Sequence, residues 1–408
     1  MDTVRISHPK ERANTAQVRH WMGVVSHLDP RYGGLSTVVP QLSSSIARTG
    51  LYTMELAAFC APTELYCESN HPELSVSTWP VSRAQWWRDR GLRDRFQEQV
   101  RTVDGLHIHG LWEQSTAIAA HTARAFRKPY VISAHGMLEQ WALNNKKLKK
   151  QIYSAFIERA NVQRASCVHA LTRAEAQDYR RFGVRTPIAV IPNGVNIPDS
   201  TDPECFLNRY PTLRDKRMIL FMGRIHFKKG LDILVQSWAR VAKGWPDAHL
   251  VLAGPDFEDT RASIEKLVAD YGLGSQVLFT GMLRNEIKWS ALAHAECFVL
   301  PSYSEGLSVS ALEAMGMGLP MIVTEQCNLP EVGDLDAGWL IKSETGPLTS
   351  SLRELLGNSP ATNASIGEKG SRLVRERYNW ATITSQMLEL YQWIDSGCSP
   401  RQFEFMTA

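Results

Sequence analysis

The sequence predicts an α/β protein built from two doubly wound domains of similar size. Three observations lead there. Short apolar runs alternate with longer amphipathic segments in both halves, and strands alternating with helices imply right-handed crossovers and a parallel sheet. At 408 residues the chain is too long for one ordinary core. Between the halves, IPNGVNIPDSTDPE (Ile191–Glu204) is dense in Pro, Asn, Gly and Asp, a turn-and-linker composition.

The elements follow in order. In the first half the strand-like runs are WMGVVSHL, GLHIHGLW, PYVISAHG, CVHALT and PIAVIPNG. In the second half they are RMILFMG, AHLVLAG, QVLFTG, ECFVLP and PMIVTE. LDILVQSWARVAK and ASIEKLVADYG, between them, carry helical periodicity. A last helical stretch, ATITSQMLELYQWI, follows the second set of strands.

Composition narrows the function. The chain is 44% hydrophobic and 21% charged, as expected of a soluble globular protein. A net charge of +3 argues against a dedicated nucleic-acid binder. The 7 cysteines are scattered, with no C-x-x-C, so neither a disulfide framework nor a zinc site is expected. Cys297, inside ECFVL, reads as a small core hydrophobe. A reducing cytoplasm fits this usage. The first residues, MDTVRISHPKERAN, are polar and unlike a signal peptide. No apolar run reaches spanning length, although contact with a membrane surface stays open. Neither G-x-G-x-x-G nor a G-x-x-x-x-G-K-[ST] loop is present, so a bound nucleotide would need another device.

That device is readable in the second half. ECFVLP ends in the turn SYSEG, and an apolar helical segment follows, on the strand edge where open α/β sheets bind ligands. Backbone amides of Gly306, Leu307 and Ser308 could cradle a phosphate at a helix N-terminus. Glu305 and Glu313 flank this seat, and carboxylates suit hydroxyl pairs of a sugar and a ribose. On one helix they would stand about 12 Å apart along the axis. Taken alone, Ser310-x-x-Glu313 is equally a capping box, and Glu305 equally a solvated loop acid. GRIHFKKGLD (Gly223–Asp232) adds Arg224, Lys228 and Lys229 on the same expected edge, where cations would neutralise a diphosphate.

At these residues the chain resembles the glycosyltransferase family 4 group, whose GT-B fold sets two Rossmann-like domains across a cleft. The E-x7-E motif runs from Glu305 to Glu313, and the G-R-x4-K-G motif is Gly223-Arg224…Lys229-Gly230. LDPRYGGLSTVVPQLSSSIARTG is similar to the family's glycine-rich loop and first helix, VIPNGVN to its interdomain segment, and YNWATITSQMLELY to its closing helix. The resemblance implies an acceptor domain over residues 1–197, a donor domain over 198–378, and a closing helix, about 379–396, that returns to the first domain. It implies a retaining hexosyltransferase that uses a nucleoside diphosphate sugar and needs no cofactor or metal. Glu305 would hold the donor sugar and Glu313 the ribose. Arg224 and Lys229 would bind the diphosphate and stabilise the leaving group. Gly33 and Gly34 would approach the phosphates from across the cleft, and His135 in VISAHGML would face the reacting sugar.

Readings for the acceptor side are more open. His109 in HIHGLW and Trp141 in the lysine-rich MLEQWALNNKKLKKQIYSAFIERA are candidates to line it. His27 and His107 read as structural. RAQWWRDRGLRDRF mixes Trp86 and Trp87 with arginines; such patches suit an anionic membrane surface or a lipid diphosphate, but equally a solvated helix face over buried tryptophans. Asp334-Leu335-Asp336, the one D-x-D, reads as a turn. HGMLEQWAL…KK is similar to polysaccharide-assembly members, implying exopolysaccharide, capsule or lipopolysaccharide synthesis on a glycan or lipid-linked acceptor. A silent sugar-nucleotide-binding partner and a nucleotide-sugar epimerase remain alternatives.

Overall fold

The computed structural model describes residues 18–29, 33–61, 71–79, 82–139, 157–397 and 404–406. Among them are two sheets. The first contains β1 (Arg19–Val25), β2 (Tyr52–Ala58), β3 (Ser75–Thr78), β4 (Gly105–His109), β5 (Tyr130–Ser133), β6 (Cys167–Ala170) and β7 (Ile188–Val190). The second contains β8 (Arg217–Met222), β9 (Ala248–Ala253), β10 (Val277–Gly281), β11 (Cys297–Leu300), β12 (Met321–Thr324) and β13 (Gly338–Ile341). A last strand, β14 (Glu404–Met406), pairs antiparallel with β7 and covers that edge of the first sheet.

Both sheets follow one winding. The second runs β10-β9-β8-β11-β12-β13, and the first holds β3-β2-β1-β4-β5-β6-β7 before β14. Each therefore winds outward from its first strand, reverses, and winds the other way, which leaves a crevice at the reversal. The second sheet reverses between β8 and β11, paired in parallel through Cys297↔Ile219 and Phe298↔Leu220. Its central strands read as continuous apolar runs because helices cover both faces; Met218 to Phe221 and Cys297 to Leu300 are wholly buried.

Strands β2, β3, β13 and β14 lie outside the runs singled out in the sequence. In β2 the acid Glu55 and a pair of alanines interrupt the apolar signal, yet Leu56, Ala57 and Ala58 are fully buried. β13 and β14 are short edge strands and only partly covered.

Two chain crossings join the halves side by side. Val195 N–H donates to the Tyr378 carbonyl at 2.7 Å, and Val195 bridges to Asn379. Gly194 is required there, since a Cβ would meet the Trp380 ring at 2.5 Å. The closing helix, Trp380–Ser396, is capped by the Asn379 side chain. It packs on the first sheet, where Tyr391 stacks on Trp21 at 4.0 Å. Trp21 is completely buried, so Trp21→Ala is expected to cost about 3–5 kcal/mol. Urea denaturation reads this directly; a loss under about 1 kcal/mol would mean that the helix does not depend on the stack.

Candidate active site

The site lies at the reversal of the second sheet. Beyond β8 come Gly223, Arg224 and the Phe227–Lys229 turn; beyond β11 comes the segment Pro301–Ser308. The first domain faces them with Gly33 and Gly34 and with the loop after β5. One pocket is lined from the first domain by Gly33, Gly34 and His135. Gly223, Arg224, Lys229, Glu305, Leu307, Ser308 and Glu313 line it from the second. Residues of both halves, read separately in the sequence, thus share one concavity.

Glu305 is 7% exposed and forms an ion pair with Lys229. The Ser302 hydroxyl donates to the same carboxylate oxygen at 2.6 Å. Ser302 is itself fixed, because Thr324 Oγ1 donates to its carbonyl at 2.6 Å. Burial pushes the Glu305 carboxyl up, but Lys229, Lys228 and the Ser302 hydroxyl outweigh it and hold the group below the usual range. Glu305 is thus an ionised, immobilised acceptor. Asn328 Nδ2 donates to the carbonyls of Glu305 and Gly306, fastening the backbone as well.

Glu313 is paired too. Lys288 Nζ donates to its Oε1 at 2.8 Å, and Lys288 lies over the Trp289 ring at 4.2 Å. The capping-box alternative does not hold. The helix spans Val309–Gly316, its cap is Ser308, and the Ser310 hydroxyl donates instead to the Met222 carbonyl at 2.8 Å. Glu305 precedes that cap, so the two acids are not spaced by one continuous helix. Gly306 also differs from expectation. It packs against Gly136, where an added Cβ would meet Gly306 N and Cα at 2.8 Å. Leu307 and Ser308, not Gly306, line the pocket.

Arg224 spans the cleft. Its guanidinium lies 4.6 Å from the Phe257 ring centroid, and a Cβ on Gly33 would approach its Cζ at 3.3 Å. Burial lowers its pKa, opposed by Glu305 and Glu258. The Gly223 carbonyl is crowded in turn, since a Cβ on Gly254 would stand 1.8 Å from it. Gly254, at the end of AHLVLAG with φ 153°, therefore lets the two strand ends meet.

The β5 loop is strained and pinned. His135 has φ 53° and Gly136 φ 78°. Glu175, buried near the Thr172-capped start of the helix Arg173–Arg181, accepts from Gly136 N–H and Leu171 N–H, each at 2.6 Å. Glu139, on the same loop, accepts from the Ser304 hydroxyl across the cleft. His109, expected to line the acceptor side, is 2% exposed and stands behind His135, bonded through Nδ1 to His135 Nε2 at 3.0 Å. His107 is buried within the sheet core.

The remaining expectations divide. Trp141 lies outside the described residues, as does most of its lysine-rich segment. Trp86 is buried against Phe96 while Arg88, Arg90 and Arg95 are exposed, which is the solvated-face alternative. Asp334 ends the short helix Glu331–Asp334, and Asp336 follows in a turn near Lys369. Among the described residues no group of three or more His, Cys, Asp or Glu is placed to hold a metal ion. Lys288, Glu139, Glu175 and Asn328 went unnoticed in the sequence. Each is one polar residue on a helix or loop, and no spacing rule separates it from its solvated neighbours. Gly254 was findable, as a glycine closing an apolar strand.

Two sets of buried and partly buried groups shape stability against pH. Burial lowers His107, His109, His135 (to about 3) and His169 (to about 4). Below pH 6.5, the ordinary histidine value, the unfolded chain binds more protons, and stability is lost on acidification. Burial raises Glu113, Glu158 and Glu175 to about 7 and Glu139 to about 8. These carboxyls cost stability as pH rises above the ordinary 4.5. Between these two ordinary values the sets oppose each other, and above 6.5 only the carboxyls still act. The unfolding free energy from urea denaturation is expected to fall from about pH 6.5 to 8, by up to about 1.4 kcal/mol per carboxyl and pH unit, and the urea midpoint with it. Glu175→Gln should flatten the fall; a rising midpoint would contradict the assignment.

Comparison with known proteins points the same way. Residues 33–194 match the family model described as glycosyl transferase 4-like domain, and residues 216–358 that described as glycosyl transferases group 1. The chain is 24% identical over 329 residues to the alpha-D-kanosaminyltransferase of Streptomyces kanamyceticus, covering 78% of this chain and 83% of that one. It is 24% identical over 312 residues to the GDP-mannose:cellobiosyl-diphosphopolyprenol alpha-mannosyltransferase of Xanthomonas oryzae pv. oryzae, covering 74% and 77%. The fold matches that of HepE from Anabaena, solved in complex with UDP and glucose, with a TM-score of 0.77 at 17% identity, over 92% of this chain and 99% of that one.

Proposed function

Because the chain belongs to the glycosyltransferase family 4 group and has the GT-B fold, we propose that it moves a hexosyl group from a nucleoside diphosphate sugar to a glycan or lipid-linked acceptor in cell-surface polysaccharide synthesis. One observation carries this reading. Two cations, Arg224 and Lys229, and two acids, Glu305 and Glu313, line one pocket at the reversal of the second sheet.

The roles follow from chemistry. Lys229 and Arg224 neutralise the diphosphate and stabilise it as the glycosidic bond breaks. Glu305, ionised and held by Lys229 and Ser302, accepts from hydroxyls of the donor sugar. Glu313 accepts from the ribose hydroxyls, and Lys288 keeps its carboxylate in place. His135 faces the sugar from the first domain. The acceptor attacks the face the diphosphate leaves, so configuration is retained, and the cations serve where other transferases use a metal. No helix among the described residues is long and apolar enough to cross a membrane; a lipid-linked acceptor would be met at the inner face of the cell membrane.

A thermal-shift series with UDP-, GDP- and ADP-sugars tests the donor class, since selective binding raises stability by mass action. One nucleotide should stabilise the protein, turnover should survive EDTA, and NMR of the product should show the donor's anomer. Stabilisation by none of the three, or strict Mn²⁺ dependence, would count against the reading. Lys288→Ala should raise donor KM about 10-fold with kcat little changed, because its partner binds substrate away from the reacting carbon. A fall in kcat alone would misplace Glu313.

A further inference from the structure

The first domain buries a connected set of histidines that the proposed reaction does not use directly. Its outer part is a chain of hydrogen bonds through the sheet. The Tyr391 hydroxyl meets His107 Nδ1 at 2.8 Å, and His107 Nε2 meets the Ser133 hydroxyl at 2.7 Å. Ser133 meets His169 Nδ1 at 2.6 Å, and His169 Nε2 meets the Ile191 carbonyl at 2.6 Å.

A carbonyl only accepts, and that settles every direction in the chain. His169 must carry its proton on Nε2, so its Nδ1 accepts from Ser133. Ser133 then accepts from His107 Nε2–H, and His107 Nδ1 accepts from Tyr391. These directions hold for neutral rings. Burial keeps them so; at His107 the neighbouring histidines add to it, and at His169 burial outweighs the Ile191 carbonyl. His107 is therefore fixed at both nitrogens. Its ring stacks on His109 at 4.1 Å, 26° from parallel, and so sets the plane of His109.

His109 in turn holds His135 through the 3.0 Å bond between Nδ1 and Nε2. His109 is buried and His135 is partly exposed where it lines the pocket, and one proton is shared along that edge. The tautomer of His135 is decided there, and with it whether Nδ1 of His135 donates to or accepts from a bound group. We propose that His109 is a positioning residue, which fixes the ring orientation and the tautomer that His135 presents to the sugar in the pocket.

The inference rests on His135 facing the donor sugar, and the experiment keeps the two apart. His109→Asn and His109→Leu share the same branched side-chain skeleton, and the Asn amide reaches the place of the His109 Nδ1 atom. His109→Leu should lower kcat about 10- to 100-fold with donor KM and melting temperature little changed. His109→Asn should recover most of it. In ¹⁵N NMR of labelled full-length protein, His135 should show one tautomer in the wild type and a mixture in His109→Leu. Equal kcat for the Leu and Asn variants, or an unchanged His135 tautomer, would overturn the positioning role. Where His135→Ala itself leaves kcat intact, the placement of His135 fails first. If His109→Leu does not fold, the tautomer in His109→Asn decides: a mixture there overturns the proposal.

Discussion

Glu305→Gln is expected to lower turnover by about 100- to 1,000-fold while donor binding persists. The amide keeps the size of the side chain and can still accept from Ser302, so the segment Pro301–Ser308 should hold its path. What disappears is the negative charge beside the reacting sugar. Lys229 then loses its partner. It is 13% exposed, so the unliganded protein should lose stability, by about 3–5 kcal/mol if nothing relaxes. A bound diphosphate returns a counter-charge to Lys229, so much of that loss should vanish in the donor complex. The signature is a pair of measurements: melting temperature with and without donor, and kcat for transfer and for slow donor hydrolysis. Full kcat in Glu305→Gln would remove Glu305 from the chemistry.

Gly136→Ala is the second large effect. Its Cβ would stand 2.8 Å from the Gly306 backbone, and the residue already has φ 78°. Strain of that kind costs about 1–3 kcal/mol, and a backbone neighbour cannot swing aside as a side chain would. The clash lies between the two domains, directly beside Glu305. The variant should hold the cleft wider, raise the radius of gyration in solution scattering, and lower kcat/KM by about 10- to 100-fold. Gly50→Ala is the control. It has φ 71° with nothing within 4 Å of the added atom, so it carries backbone strain alone. If both variants lose the same activity, contact between the Gly136 and Gly306 backbones is not what assembles the site.

Legibility differed by element for physical reasons. RMILFM and CFVL announced themselves because strands covered on both faces must be apolar throughout. YTMELAA did not, because alanine and one acid dilute the signal although the strand lies beside β1. Within the site, Gly223, Arg224, Lys229 and Glu305 could be found because they sit at strand ends, where local pattern and ligand geometry coincide. Lys288 and Glu139 could not, since a lone charged residue looks alike in solvent and in a cleft. His109 was noticed with two readings of equal weight, an acceptor-side and a structural one: its place at a strand end is visible in HIHGLW, while its burial behind His135 depends on the neighbouring strand β5.

By itself the sequence determined two doubly wound sheets, a linker between them, and acids and cations on the turns that end the central strands. Those follow from periodicity and turn chemistry, which act over a few residues. Only the tertiary structure decided which charges neutralise each other. Lys229 and Glu305 are 76 residues apart, and Lys288 and Glu313 are 25 apart. It also decided that Gly306 would meet Gly136 and that His107, His109 and His169 would be buried together behind His135. Such pairings depend on strand order and on how the two domains close, and no local run of residues carries that information.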